Sequence, residues 1–248
     1  VRLQDTGDPR SHNMPDPSNR KLYFGHSITN DVGAAAATVL DDGATISFRA
    51  RIPTSGLLDQ VHAGGQPAPW PTGGDGYVLH DAGKDVFGIR QSNGDRLVSF
   101  ALALPSDDSE ISVSGLVMND LSGNTPSGNV DQADNDGGTV NILEIADLTV
   151  WHEFWITIQA DETGTGTHLV KIYVDGSLEP RQFYVTAGNG NDYDDSYIAL
   201  GLGSTGQTGA IDVDFFAYKQ GVLSPADVYR ASNPGPADGA LIADTWVN

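Results

Sequence analysis

The stretch Gly209-Ala-Ile-Asp-Val-Asp-Phe-Phe-Ala-Tyr-Lys219 sets the fold class. Successive side chains of a strand point to opposite faces, so alternation predicts Ile211, Val213, Phe215 and Ala217 on one face. Asp212, Asp214, Phe216 and Tyr218 then share the other. One face is wholly apolar, as a strand half-buried in an antiparallel sheet requires. Asp212 and Asp214 stand about 7 Å apart by strand rise. That spacing suits a hard divalent cation held together with backbone carbonyls from a neighbouring segment. The alternative is a solvent-facing acidic row.

Working outward, the same reading finds strands almost everywhere. Leu22-Tyr-Phe24, Ala44 to Ile52, Gly56 to Ala63, Gly76 to His80, Asp85 to Arg90 and Arg96 to Leu104 carry the pattern in the first half. Ile111 to Met118, Val140 to Ile145, Trp151 to Gln159, Thr167 to Val174, Gln182 to Thr186 and Ser196 to Leu202 follow. Turn dipeptides rich in Gly, Asp and Asn separate them. Helix is predicted only at Ser224 to Arg230, with Ser224 as N-cap and Pro225 in the first turn. About a dozen short strands with so little helix define an all-β fold, a two-sheet antiparallel sandwich or jelly roll. The expected core draws on Trp151 or Trp155, with Ile172, Val174, Ile198 and Phe215. Residues 1–20 read as an extended N-terminal arm, 21–232 as one β-sandwich domain, and 233–248 as a linker-like tail.

Composition narrows the function. The 248 residues hold 33 acidic and 13 basic side chains, a net charge of −20. A surface for nucleic acid needs a basic patch, and no run of Lys or Arg occurs, so nucleic acid is excluded as a partner. Cysteine is absent, which removes disulfides and thiolate metal sites. The acid is 28 Asp against five Glu. Asp favours turns and cation loops over strands and helices, a bias suited to a loop-rich β protein in a calcium-rich or salty medium. General acidity of a lineage would leave the same trace. No run of 18 apolar residues exists, so membrane insertion by a helix is not expected. The chain opens on Val rather than Met, which reads as an excised segment of something longer. A secreted or cell-surface location and a monomeric module are the expectations.

Two segments carry a resemblance. Trp151-His-Glu-Phe-Trp-Ile-Thr-Ile158 and, after a Gly-rich turn, Val170-Lys-Ile-Tyr-Val-Asp-Gly176 resemble a hairpin of concanavalin A-like lectin and glucanase sandwiches, including laminin-G-like and pentraxin-like modules. The 211–219 strand is similar to the closing strand of family-sixteen glycoside hydrolases. That resemblance implies a structural calcium at Asp214, with Asp212 beside it, and carbonyls near the chain start. The likeness spans roughly 80 residues and speaks to fold before activity.

Candidate ligand contacts follow from presentation. Trp70 lies between prolines in Ala63-Gly-Gly-Gln-Pro-Ala-Pro-Trp-Pro-Thr-Gly-Gly-Asp-Gly76, where a rigid indole would stack on a sugar ring or plug the end of the sandwich. Tyr77, His80 and Tyr193 are the further candidates for binding polysaccharide or oligosaccharide. Acidic loops at 131–137 and 189–195 offer oxygen-dense sites for calcium, or plain solvated loops. Retaining β-glucanases need two carboxylates about 5 Å apart, and no Glu-x-Asp-x-Glu strand is present. Lyase chemistry would use a Tyr/His pair, yet Tyr77 and His80 fall on opposite faces by parity. The reading is therefore a secreted, calcium-stabilised carbohydrate-binding module of a larger polysaccharide-processing protein, with no catalytic residue assigned. A lyase or glycoside hydrolase on the same sandwich is one alternative, and a surface adhesion or matrix protein binding other proteins is the second.

Overall fold

A computed structural model describes residues 1–5, 22–56, 60–61, 67–68, 87–103, 114–118, 141–189, 195–202 and 209–232. In chain order its strands are β1 (Arg2–Asp5), β2 (Leu22–Ser27), β3 (Ala44–Arg51), β4 (Gln60–Val61) and β5 (Pro67–Ala68). Next come β6 (Phe87–Gln91), β7 (Arg96–Ala103), β8 (Gly115–Met118), β9 (Ile142–Glu144) and β10 (His152–Ala160). The last five are β11 (His168–Val174), β12 (Arg181–Val185), β13 (Gly188–Asn189), β14 (Tyr197–Leu202) and β15 (Gly209–Gln220). One sheet runs β1-β15-β3-β10-β11-β12. The second runs β2-β14-β6-β7-β8-β9, with β13 paired to β7. Every pairing among the described residues is antiparallel. The two-sheet sandwich read from the sequence is the observed architecture.

The core lies between the sheets. Phe48 and Phe154, opposite each other on β3 and β10, stack with ring centroids 4.8 Å apart. Ile46, Ile156, Ile158, Val170, Phe100 and Leu102 are fully enclosed around them. Ile172 and Ile198 join this core and Val174 packs against it. Neither Trp151 nor Trp155 does. On β10 the even-numbered Phe154, Ile156 and Ile158 face inward, which turns Trp155 to the outer face.

Phe215 is the second correction. The register of β15 on β3 passes from Val213↔Ala50 directly to Phe215↔Arg49, so Asp214 is an extra residue in a β-bulge. Before the bulge Ile211 and Val213 face the core; after it Phe216 and Tyr218 do. Phe215 is left 39% exposed on the outer face. Simple alternation cannot survive one inserted residue, because the period of a strand is two.

Two other segments differ from the sequence reading. Residues 2–5 of the expected arm form β1 on the sheet edge, with Arg2 opposite Asp212. Between β2 and β3 the chain forms α1 (Ile28–Val32), a 3-10 turn over Gly33–Thr38, and α2 (Val39–Asp42). Ser27 caps α1 by accepting from the Asn30 amide, and Ile28, Ala36, Val39 and Leu40 plug the end of the sandwich. The predicted C-terminal helix is α3 (Pro225–Ser232). Ser224 and Asp227 exchange side-chain and backbone bonds at its start, a capping box.

Candidate functional site

At one end of the sandwich β11 turns into β12 through Val174-Asp175-Gly176-Ser177. Asp175 and Gly176 have φ of 53° and 75°, and the Ser177 amide donates to the Val174 carbonyl at 3.0 Å. This is a tight β-turn with positive φ at both central residues, which an Asp-Gly pair favours; it sits inside the longer connection between Ile172 and Arg181, the last paired residues of the hairpin. Asp175 is pinned further: its carboxylate accepts from the Glu153 amide at 2.9 Å and lies 2.8 Å from Nδ1 of His152. The other ring nitrogen of His152 is 2.8 Å from the Asp147 carbonyl.

The turn separates two hollows. The larger, about 350 Å³, opens between β9 at the edge of one sheet and β11–β12 of the other. Leu143, Ile145, Ile172 and Val174 floor it. Glu144, His152, Asp175, Ser177, Glu179 and Arg181 rim it. The smaller, about 130 Å³, lies on the outer face of the first sheet against α3. Trp155 and Tyr173 wall it, with Glu153, Gly176, Ser177, Pro225 and Val228 around them. The indole of Trp155 is fixed by donating to the Leu223 carbonyl at 2.7 Å. Burial pushes the Tyr173 phenol up, and the nearby negative charges of Asp227 and Glu179 add to it. Ser177 is common to both hollows.

The Asp212–Asp214 expectation meets arginine. Asp212 and Arg51 are paired across β15 and β3, and Arg2 approaches from β1. Arg2 donates to both carboxylate oxygens of Asp212, at 2.6 and 2.9 Å, and Arg51 adds a bond at 3.0 Å. The Arg2 bonds in particular hold the Asp212 carboxyl below its ordinary range. Asp214, exposed at the bulge, pairs with Arg49 at 3.1 Å. Arg51 and Arg49 in turn lie over the Trp151 ring, at 4.8 and 5.3 Å from its centroid. The two aspartates sit where guanidinium groups already take their oxygens, so this donor set does not fit a divalent cation. Among the described residues no three His, Asp or Glu side chains converge as a metal site.

Trp70, Tyr77, His80 and Tyr193 lie outside the described residues, as do both acidic loop centres. The Tyr/His pair that the described residues do assemble is Tyr218 and His26, with rings 5.9 Å apart. Asp31 joins them: the Tyr218 hydroxyl donates to it, and Nε2 of His26 is 2.7 Å away. Burial, reinforced by this bond to a carboxylate, drives the Tyr218 phenol far above its ordinary value. Such a tyrosine is a poor proton acceptor. Sequence reasoning missed Trp155, Tyr173 and the 175–181 turn as a site. Its signal was the outward row Glu153–Trp155, hidden by assigning the tryptophan to the core.

No protein-family model matches the chain, and no curated protein is detectably similar. Solved structures similar to it include the Emp46p carbohydrate recognition domain in its metal-free form, at 12% identity and TM-score 0.36, covering 83% of this chain and 80% of that one. An endo-β-1,4-glucuronan lyase from the fungus Trichoderma reesei shows 11% identity and TM-score 0.43, covering 90% and 83%. A conserved carbohydrate esterase from a Shiga toxin-encoding bacteriophage shows 13% identity and TM-score 0.42, covering 90% and 81%. The chain's own strand pairing establishes a two-sheet antiparallel sandwich. No described helix is long and apolar enough to cross a membrane.

Proposed function

We propose that the chain is an extracellular carbohydrate-binding sandwich, a module of a larger polysaccharide-processing protein, and that it grips glycan across the Asp175–Gly176 turn. The observation that carries this reading is the pair of hollows joined at Ser177. One offers an apolar floor with a hydrogen-bonding rim; the other offers the rings of Trp155 and Tyr173. A sugar ring has an apolar face and a polar edge, and this combination answers both. The calcium suggested by the resemblance enters no part of this site.

The test uses the purified chain on a panel of immobilised polysaccharides, scored for retention and for released reducing ends or unsaturated products. Retention without product is expected. Ser177→Trp, placed on an exposed turn residue that borders both hollows, should abolish retention and leave the melting temperature unchanged. Released product would instead make the protein a hydrolase or lyase, and failure to bind any glycan would overturn the reading.

A further inference from the structure

Resting on that reading, we infer that the two hollows form one track selective for glycans bearing ammonium groups, polymers of deacetylated amino sugars, over neutral chains and most strongly over polyuronates. Charge and aromatic surface together carry the inference. Glu144, Asp175 and Glu179 border the cleft and Glu153 borders the hollow, against the single arginine Arg181 among the same lining residues. Between them the side chain at position 176 is a hydrogen, and a Cβ built there meets nothing within 4 Å. The turn is thus an open saddle over which one chain passes from cleft to hollow. Trp155 and Tyr173 line the far end with aromatic surface, and a cation over such a ring is attracted by its quadrupole. The field of the carboxylates reaches that point: Asp227 and Glu179 both act on the Tyr173 phenol.

A polyuronate would need guanidinium groups to receive its carboxylates. Of the arginines at this end, Arg2 and Arg51 are committed to Asp212 and Arg49 to Asp214, the latter two also stacked on Trp151, which leaves Arg181 at the rim among three carboxylates. The net charge of −20 repels a polyanion before contact is made.

The experiment compares three soluble β-1,4-linked hexamers, of glucosamine, glucose and glucuronate, by calorimetry in mildly acidic buffer at low and at physiological ionic strength. The glucosamine hexamer is expected to bind tightest and to weaken as salt rises, and the glucuronate hexamer to bind least. The double variant Glu144→Gln/Glu179→Gln should weaken the glucosamine hexamer about fivefold, a loss in the range of two partly exposed charge contacts. Glu162→Gln, exposed at the other end of the β10–β11 hairpin, should not change it. Equal weakening by Glu162→Gln and the double variant would mean bulk attraction to an acidic protein and would overturn the inference. Glucuronate binding as tightly as glucosamine would overturn it too, while leaving carbohydrate binding intact. If none of the hexamers binds, the inference falls, and the polysaccharide panel decides the carbohydrate reading.

Discussion

The two ends of the β11 strand show opposite uses of polar chemistry. At its start His168 is completely buried beside Asp41, 3.3 Å away, and its other ring nitrogen meets the Thr167 hydroxyl at 2.8 Å. Asp41 also holds Arg96 at 2.6 Å and the Gln91 amide at 2.8 Å. The Gln91 oxygen accepts from the Leu40 and Asp41 amides. This end ties α2, the β6–β7 hairpin and β11 into one buried network, in which Nε2 of His168 meets Asp41 only as an ion-pair approach and makes no hydrogen bond. At the other end the Asp175–Gly176 turn leaves Glu144, Glu179 and Arg181 facing an open cleft. Polar groups that hold a fold together are used up on one another. Groups still directed at solvent over an apolar floor are what a ligand can use.

The sharpest way to break this comparison is Gln91→Ala. Gln91 is fully buried and makes four hydrogen bonds, so its loss strands two backbone amides, the Asn93 carbonyl and an Asp41 carboxylate oxygen. A loss of about 3 kcal/mol is expected, read by denaturant unfolding. Destabilisation below about 1 kcal/mol would mean water replaces the side chain and the closed end is not closed.

The Asp212 cluster stands between these cases, since its arginines are about one-third exposed. Asp212→Asn should cost about 1–2 kcal/mol after screening is allowed for. Chelator is expected to leave that cost unchanged, because guanidinium groups already take both Asp212 oxygens; a cost that vanishes in chelator and returns with calcium would place the ion there.

A smaller effect should come from pH at the closed end. Burial pushes the His168 imidazole below its ordinary 6.5; Asp41 pulls it upward and Arg96 downward. The unfolded chain therefore takes up the proton first as pH falls below about 6.5, so this contribution to stability is full above that value and is lost beneath it. Asp212, whose carboxyl is depressed, contributes above its ordinary 3.8 and loses its share only as pH falls further. Melting curves between about pH 7 and pH 5 should slope downward for the wild type and flatten for His168→Gln. An unchanged slope would show that His168 is charged in the fold.

The smallest stability effect is predicted where the binding effect is largest. Glu179→Gln and Glu144→Gln should each change unfolding free energy by less than about 0.5 kcal/mol. A larger loss would make the rim part of the scaffold and blur the distinction between the ends.

Much of this was legible locally. The strands β3, β10, β11, β12, β14 and β15 fall within a residue or two of their alternation patterns, and the Asp-Gly and Ser-Asn-Gly-Asp turns announce their hairpins. Ser224 as N-cap followed by Pro225 announces α3. The segment 28–42 was not legible, because Gly33-Ala-Ala-Ala-Ala-Thr38 has no amphipathic period and folds by filling the end of a sandwich already formed.

By itself, then, the sequence determined the all-β class and the hairpins, since period and turn chemistry act over a few residues. Tertiary structure alone decided which face of β15 is buried beyond Val213, because Phe215-Phe216 offers a ring to either phase and only pairing with β3 places the bulge. It also decided that Asp212 belongs to Arg2, a partner 210 residues away. It joined Trp155 and Tyr173 to Ser177, because a site made across strands and a helix depends on register and packing, which no local pattern encodes.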